Sequence, residues 1–194
     1  MLTTLATANL IPLSQPSTSA SFSYAGSETA ASTAFLQTNS VVDWILVELR
    51  SSAIGAAGDR HAALLKSDGT TGVTFTTAIA CDYYILIKQH NNLAVMSTPV
   101  VTLPNASVCN FTTVLTQAYG STTLMVAVTI KVYGMWCGDT DASGVIDVTD
   151  RANTWNDRNK TGLYSGNEIH LSNVIYVTDR ANTWNNRNLV IQVS

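Results

Sequence analysis

One stretch of this sequence is written twice. Val148-Thr149-Asp150-Arg151-Ala152-Asn153-Thr154-Trp155-Asn156-Asp157-Arg158-Asn159 returns after an offset of 29 residues as Val177 to Asn188, with Asn186 in place of Asp157 as the one difference. Repeats signal paired supersecondary units whose apolar sides cover one another. In the first copy Val148, Ala152 and Trp155 stand at i, i+4 and i+7; in the second, Val177, Ala181 and Trp184 do the same. This spacing predicts two short helices that bury these stripes against each other.

The residues leading into the first copy carry chemistry. Asp139 to Asp150 reads as a twelve-residue calcium loop, with Asp139, Asp141 and Ser143 at positions 1, 3 and 5, Gly144 at 6 where the chain must turn, and Ile146 at 8. A hard dication needs six to eight oxygens. Asp139, Asp141 and Ser143 supply side-chain oxygens, Val145 its backbone carbonyl, Asp147 a contact through water, and Asp150 closes the shell. The uncharged serine and the short Asp at position 12 both favour modest affinity. In the second loop the same positions hold Glu168, His170, Ser172, Asn173, Tyr176 and Asp179. The turn glycine is gone and a tyrosine replaces an oxygen donor, so this degenerate loop is expected to have lost its metal. One imidazole among Glu168, Ser172 and Asp179 is weak support for a transition metal, and His170 is given a structural role. The expectation is one calcium.

Two loop–helix units this close, with Asp at position 12 and the helix starting inside the loop, resemble the dockerin family of calcium-dependent extracellular modules over residues 138–188. Dockerins dock to cohesin-like receptors, so the resemblance implies that role as an alternative for this chain.

At 194 residues there is room for one medium domain and this small appendage. Charged residues are only 12%, about half the usual share, which suggests that part of the surface is covered by subunits or glycan. A net charge of −3 with ten scattered basic residues argues against nucleic-acid binding. No apolar run reaches transmembrane length, since Lys131 interrupts the stretch from Thr123 to Trp136. Cys81, Cys109 and Cys137 allow one disulfide in three pairings. The first basic residue is Arg50, so the start lacks the positive region of a signal peptide and reads as part of a longer, processed precursor.

Residues 1–40 show no helical period, and Pro12 and Pro16 limit them to edge or linker conformations. They are expected to be a disordered leader or an extended strand whose partner lies in another subunit, with a segment folded back onto the chain's own sheet as the competing reading. From Val41 to Arg50 the chain is apolar on both faces at its centre, the mark of a core strand. Further strands are expected over 61–66, 74–80, 82–88, 93–97, 100–103, 108–113 and 122–133, and residues 189–194 read as a strand-like tail. The fold class is mainly β: a jelly-roll-like sandwich over 41–136, with a small C-terminal α subdomain of EF-hand-type loops over 137–188.

Val42-Asp43-Trp44, Val47-Glu48-Leu49-Arg50, Ala62-Ala63-Leu64-Leu65, Tyr83-Tyr84, Val95-Met96-Ser97 and Gly134-Met135-Trp136 together resemble a β-sandwich found beside dockerin-like repeats at the C-terminal ends of secreted bacterial surface proteins. That resemblance implies an extracellular or cell-surface location without an established chemistry.

No catalytic motif is present. His61 and His90 flank strands within reach of Asp59 or Asp82 and are assigned to turn hydrogen bonds. Trp44, Tyr83, Tyr84 and Trp136 are assigned to core packing, with a sugar-stacking platform as the alternative. Asn105, Asn110 and Asn159 stand in glycosylation sequons. These features describe a non-enzyme. The expected function is a calcium-stabilised structural subunit of an extracellular filament, with homo-oligomeric partners and strand addition by the N-terminal segment. The alternative is a non-catalytic glycan-binding or dockerin-type anchoring module of a secreted polysaccharide-degrading system.

Overall fold

A computed structural model describes the chain except for residues 99, 105–107, 121–124 and 192–194. Its organising element is strand β1, Val41–Arg50, in which every residue is buried. A strand this apolar belongs at the middle of a sheet, covered on both faces. It is flanked by β2 (Asp59–Lys66) and β3 (Cys81–Gln89), and β4 (Asn92–Met96) follows β3 through a tight turn; β5 (Val101–Leu103) pairs with the other end of β3. All pairings are antiparallel, with Trp44 opposite Leu64 and Leu49 opposite Ile85. A separate hairpin, β6 (Met125–Thr129) and β7 (Val132–Met135), faces the main sheet. It packs Met125, Tyr133 and Met135 against Val95, Phe111 and Ala118. The domain is therefore mainly β, antiparallel and two-layered.

Three expected strands take other forms. Residues 74–80 and 108–113 are irregular, because their side chains find partners as loops: Phe75 meets His61 edge-on, and Phe111 fills the second layer. The stretch 122–133 is divided at Lys131, whose φ of 61° turns the chain back on itself; its first residues lie outside those described.

The N-terminal segment departs furthest from expectation. Residues 1–40 are not an extended arm. Short helices α1 (Thr4–Thr7) and α2 (Thr33–Thr38) place Leu5, Ala6, Ile11 and Leu36 on Val41, Trp44 and Ala62 of the chain's own sheet. Ser32 caps α2 by accepting from Phe35 N at 3.1 Å, and the Trp44 indole donates to the Pro12 carbonyl at 2.8 Å. Apolar side chains that would be aggregation hazards in an exposed strand are here the cover of the first layer.

The repeats form α3 (Val148–Asn156) and α4 (Val177–Asn185), packed on each other. The buried stripe is not the expected one. Val148 and Val177 are 75% and 64% exposed, whereas Asp150, Thr154, Asp179 and Thr183 point inward beside the fully buried Ile146 and Ile175. The loops dictate this choice, since each helix must turn its first-turn carboxylate toward its own loop. Trp155 is gripped by Arg158 and Arg180 at 4.4 Å, and Trp184 by Arg151 and Arg187 at 4.5 and 4.3 Å, so the indoles contribute through cation–π stacking across the pair.

The pair is docked on the sheet. Leu93 N donates to the Trp136 carbonyl at 2.8 Å, Gly138 N to Asn91, and the Asn91 amide to the Glu168 carbonyl at 3.0 Å. Tyr164, between the helices, donates to the fully buried carboxylate of Asp43 at 2.5 Å; that carboxylate also accepts from Gln89 and meets His90 Nδ1 at 3.3 Å. Gly166 comes so close that an added Cβ would stand 2.4 Å from the Thr140 carbonyl oxygen. Among the described residues no helix is long and apolar enough to cross a membrane.

Candidate metal centre

The first loop is shaped by its own carboxylates. Asp139 accepts from Ser143 N and Gly144 N, both at 2.9 Å, which winds the chain around it; Gly144 takes a φ of 87° to allow the turn. Asp150, from the first turn of α3, reaches back to accept from Thr140 N at 2.6 Å and Asp147 N at 2.8 Å. Asp141 completes the group, and oxygens of Asp139, Asp141 and Asp150 all lie within 4.8 Å of one another. Beside them the Ser143 hydroxyl donates to the Val145 carbonyl at 3.1 Å, so the expected donors at positions 5 and 7 are adjacent. Asp147 serves the helix. It caps α3 by accepting from Thr149 N at 2.7 Å, and it stands outside the cluster.

Three carboxylates this close repel one another. Burial, with Asp150 and Asp141 nearby, pushes the Asp139 carboxyl up to about 7. Burial raises Asp150 as well. The donor set is all oxygen, which suits a hard divalent cation of the calcium type and offers nothing for a soft metal. The tail forms the loop's back wall. Ile146 N donates to the Leu189 carbonyl and Ile191 N to Gly144, both at 2.9 Å, and Ile191 lies against Gly144.

The second loop repeats this wiring. Ser172 N donates to Glu168 at 2.7 Å, Tyr176 N to Asp179 at 2.7 Å, and Ile169 N to Asp179 at 2.8 Å, three bonds with counterparts in the first loop. The missing glycine costs little, because Asn173 adopts a φ of 70°, a conformation asparagine tolerates. What differs is position 3, where His170 Nδ1 lies 3.1 Å from Asp179 Oδ1. The Asp179 carboxylate lifts the His170 pKa, and His170 with the backbone donors holds Asp179 low against the effect of burial.

Other candidate residues fall elsewhere. His61 pairs with Glu28 at 3.0 Å and His90 with Asp43, not with Asp59 or Asp82. His90 Nε2 is buried without a hydrogen-bond partner, so this pair presents no base to solvent. Trp44 and Tyr83 are buried, Tyr84 stacks edge-on with Tyr119, and they form no open sugar platform. Asn110 and Asn159 are exposed, while Asn105 lies outside the described residues. All three cysteines are free thiols. Sequence reasoning missed Asp43 and Tyr164 as the clamp between sheet and repeats, because no local pattern announces a contact across 121 residues, and it missed Gly166, whose neighbours His90 and Thr140 are also distant in the chain.

No family model matches the chain, and no curated protein does. Among solved structures, similar chains occur in two crystal structures of a type II cohesin–X-dockerin complex from Acetivibrio cellulolyticus. One is an N-terminal interface mutant of that complex, the other a C-terminal interface mutant. The TM-scores are 0.43 and 0.42, each at 16% identity over 75% of this chain and 81% of the other. At that level fold and function rest on this chain's own geometry.

Proposed function

We propose that this protein is a non-catalytic, calcium-stapled module that anchors its bearer within an extracellular assembly. The observation that carries the reading is the convergence of Asp139, Asp141 and Asp150 with Ser143 and the Val145 carbonyl, in a loop whose helix packs against its own repeat. A site of modest affinity fills where calcium is plentiful, which is outside cells. Asp139, Asp141, Ser143, Val145 and Asp150 hold the ion, and the helix pair offers the face toward a protein partner. Glycan stays a candidate partner only through surfaces other than the buried aromatics.

The test is calcium titration by calorimetry combined with light scattering. One calcium per chain and a monomer in excess calcium are expected; loss of binding in Asp139→Ala is expected too. No calcium uptake by the folded wild type would overturn the reading. A second reading, a filament subunit, is favoured by the tip of the β6–β7 hairpin, where Val128 and Val132 are exposed and Ile130 is 89% exposed. On that reading copies associate through the hairpin, since the N-terminal segment is engaged on its own sheet, and calcium-dependent fibres in electron micrographs would replace the monomer.

A further inference from the structure

The two loops share most of their backbone-to-carboxylate hydrogen bonds, yet their donor sets differ. In the first, position 3 is Asp141 and three carboxylates face one another. In the second, position 3 is His170, and its ring lies against Asp179, the counterpart of Asp150. Its other nitrogen, Nε2, rests 3.3 Å from the Asn182 amide on α4. Glu168, the counterpart of Asp139, is 1% exposed, and one of its oxygens, Oε2, is buried with no hydrogen-bond partner. A loop that keeps the turn, the carbonyl of Val174 beside the Ser172 hydroxyl, and an orphaned carboxylate oxygen has kept the frame of a cation site.

We infer that His170 is the specificity-determining residue of the second loop: its imidazole occupies Asp179 Oδ1, the oxygen a divalent ion would need, and puts nitrogen where the first loop has a carboxylate, so that an oxygen donor at this one position turns the loop into a second calcium site. The inference rests on the calcium reading of the first loop. A divalent ion beside Asp179 would have to displace the ring and would find no oxygen at position 3, whereas an aspartate there restores the three-carboxylate set. The neighbouring charged groups fit the assignment. Among the described residues, carboxylates face the ring, Asp179 from α4 and Glu168 from the loop, and the Cys137 thiol approaches Asp179 from the chain leading into the first loop.

The experiment is calorimetric titration of calcium chloride into wild type, His170→Asp and His170→Asn, with His170→Ala as control, each checked for fold by circular dichroism. Wild type and His170→Ala are expected to bind one calcium per chain and His170→Asp two; Asp139→Ala in the His170→Asp background returns to one. His170→Asn, which adds oxygen without charge, gains a weaker second site and carries the test if the aspartate variant does not fold without metal. If wild type binds none and His170→Asp binds one, the first-loop reading fails while this inference stands. Wild type binding two, or both oxygen-donor variants folding and binding no more than wild type, would overturn it.

Discussion

Asp139 is a carboxyl held where its charge is unwelcome. Its carboxyl is buried where two other carboxylates converge, and its pKa stands at about 7, well above the unfolded value of about 4. A carboxyl whose folded pKa is raised holds its proton in the folded state after the unfolded chain has released it. The contribution of Asp139 to metal-free stability is therefore greatest at acid pH and declines as pH rises from about 4 through 7. On the calcium reading proposed above, bound calcium would reverse the order, because it requires the ionised form. The expected result is a calcium-induced rise in Tm that is small at about pH 5.5 and large at about pH 8, measured by scanning calorimetry with calcium or chelator. An equal rise at both values would remove Asp139 from the site. The residues of this loop were legible in the sequence because their spacing is local. The second task of Asp147, capping α3 through Thr149 N, was not legible, because a loop spacing does not disclose the backbone direction at the helix start.

The helices were legible as helices but not in their facing. Apolar periodicity pointed to Val148, Ala152 and Trp155, yet Asp150 and Asp179 must face their loops, and this rotation leaves the valines outside. The arginines then gain their role. Arg151 and Arg180 lie over the tryptophan of the opposite helix, a pairing that spacing along one helix cannot disclose. The connection between helices carries a second hidden contact, Tyr164 on Asp43. This hydrogen bond to a buried carboxylate is worth about 1.5–3 kcal/mol. Burial, together with Asp43, holds the Tyr164 hydroxyl well above its usual pKa, so it remains a donor through the neutral range. Tyr164→Phe is expected to loosen the repeats from the sheet: a wild type that melts as one unit in calcium would give two transitions by circular dichroism and tryptophan fluorescence. A single unshifted transition in the variant would show that the bond does not couple the two parts.

At the scale of the whole molecule, β1 and its neighbours could be read from their apolar runs, and the N-terminal forty residues could not. Thr, Ser and Ala dominate there, no period marks a helix, and the shape follows from what Trp44 and Ala62 leave uncovered. Deleting residues 1–12 removes Leu5, Ala6 and Ile11 from that cover and the Pro12 carbonyl from the Trp44 indole. The loss of several buried apolar side chains predicts destabilisation by several kcal/mol. A large fall in Tm and a red shift of Trp44 emission are expected; an unchanged Tm would mean that the segment is not part of the fold. The back wall of the first loop also bears on how the chain comes into being. Residues 188–191 close behind Gly144 and Ile146, so a chain emerging N-terminus first displays its carboxylate-rich loop long before the segment that seals it. On the calcium reading proposed above, an ion that reached the loop before residues 188–191 packed would be closed in by them from behind.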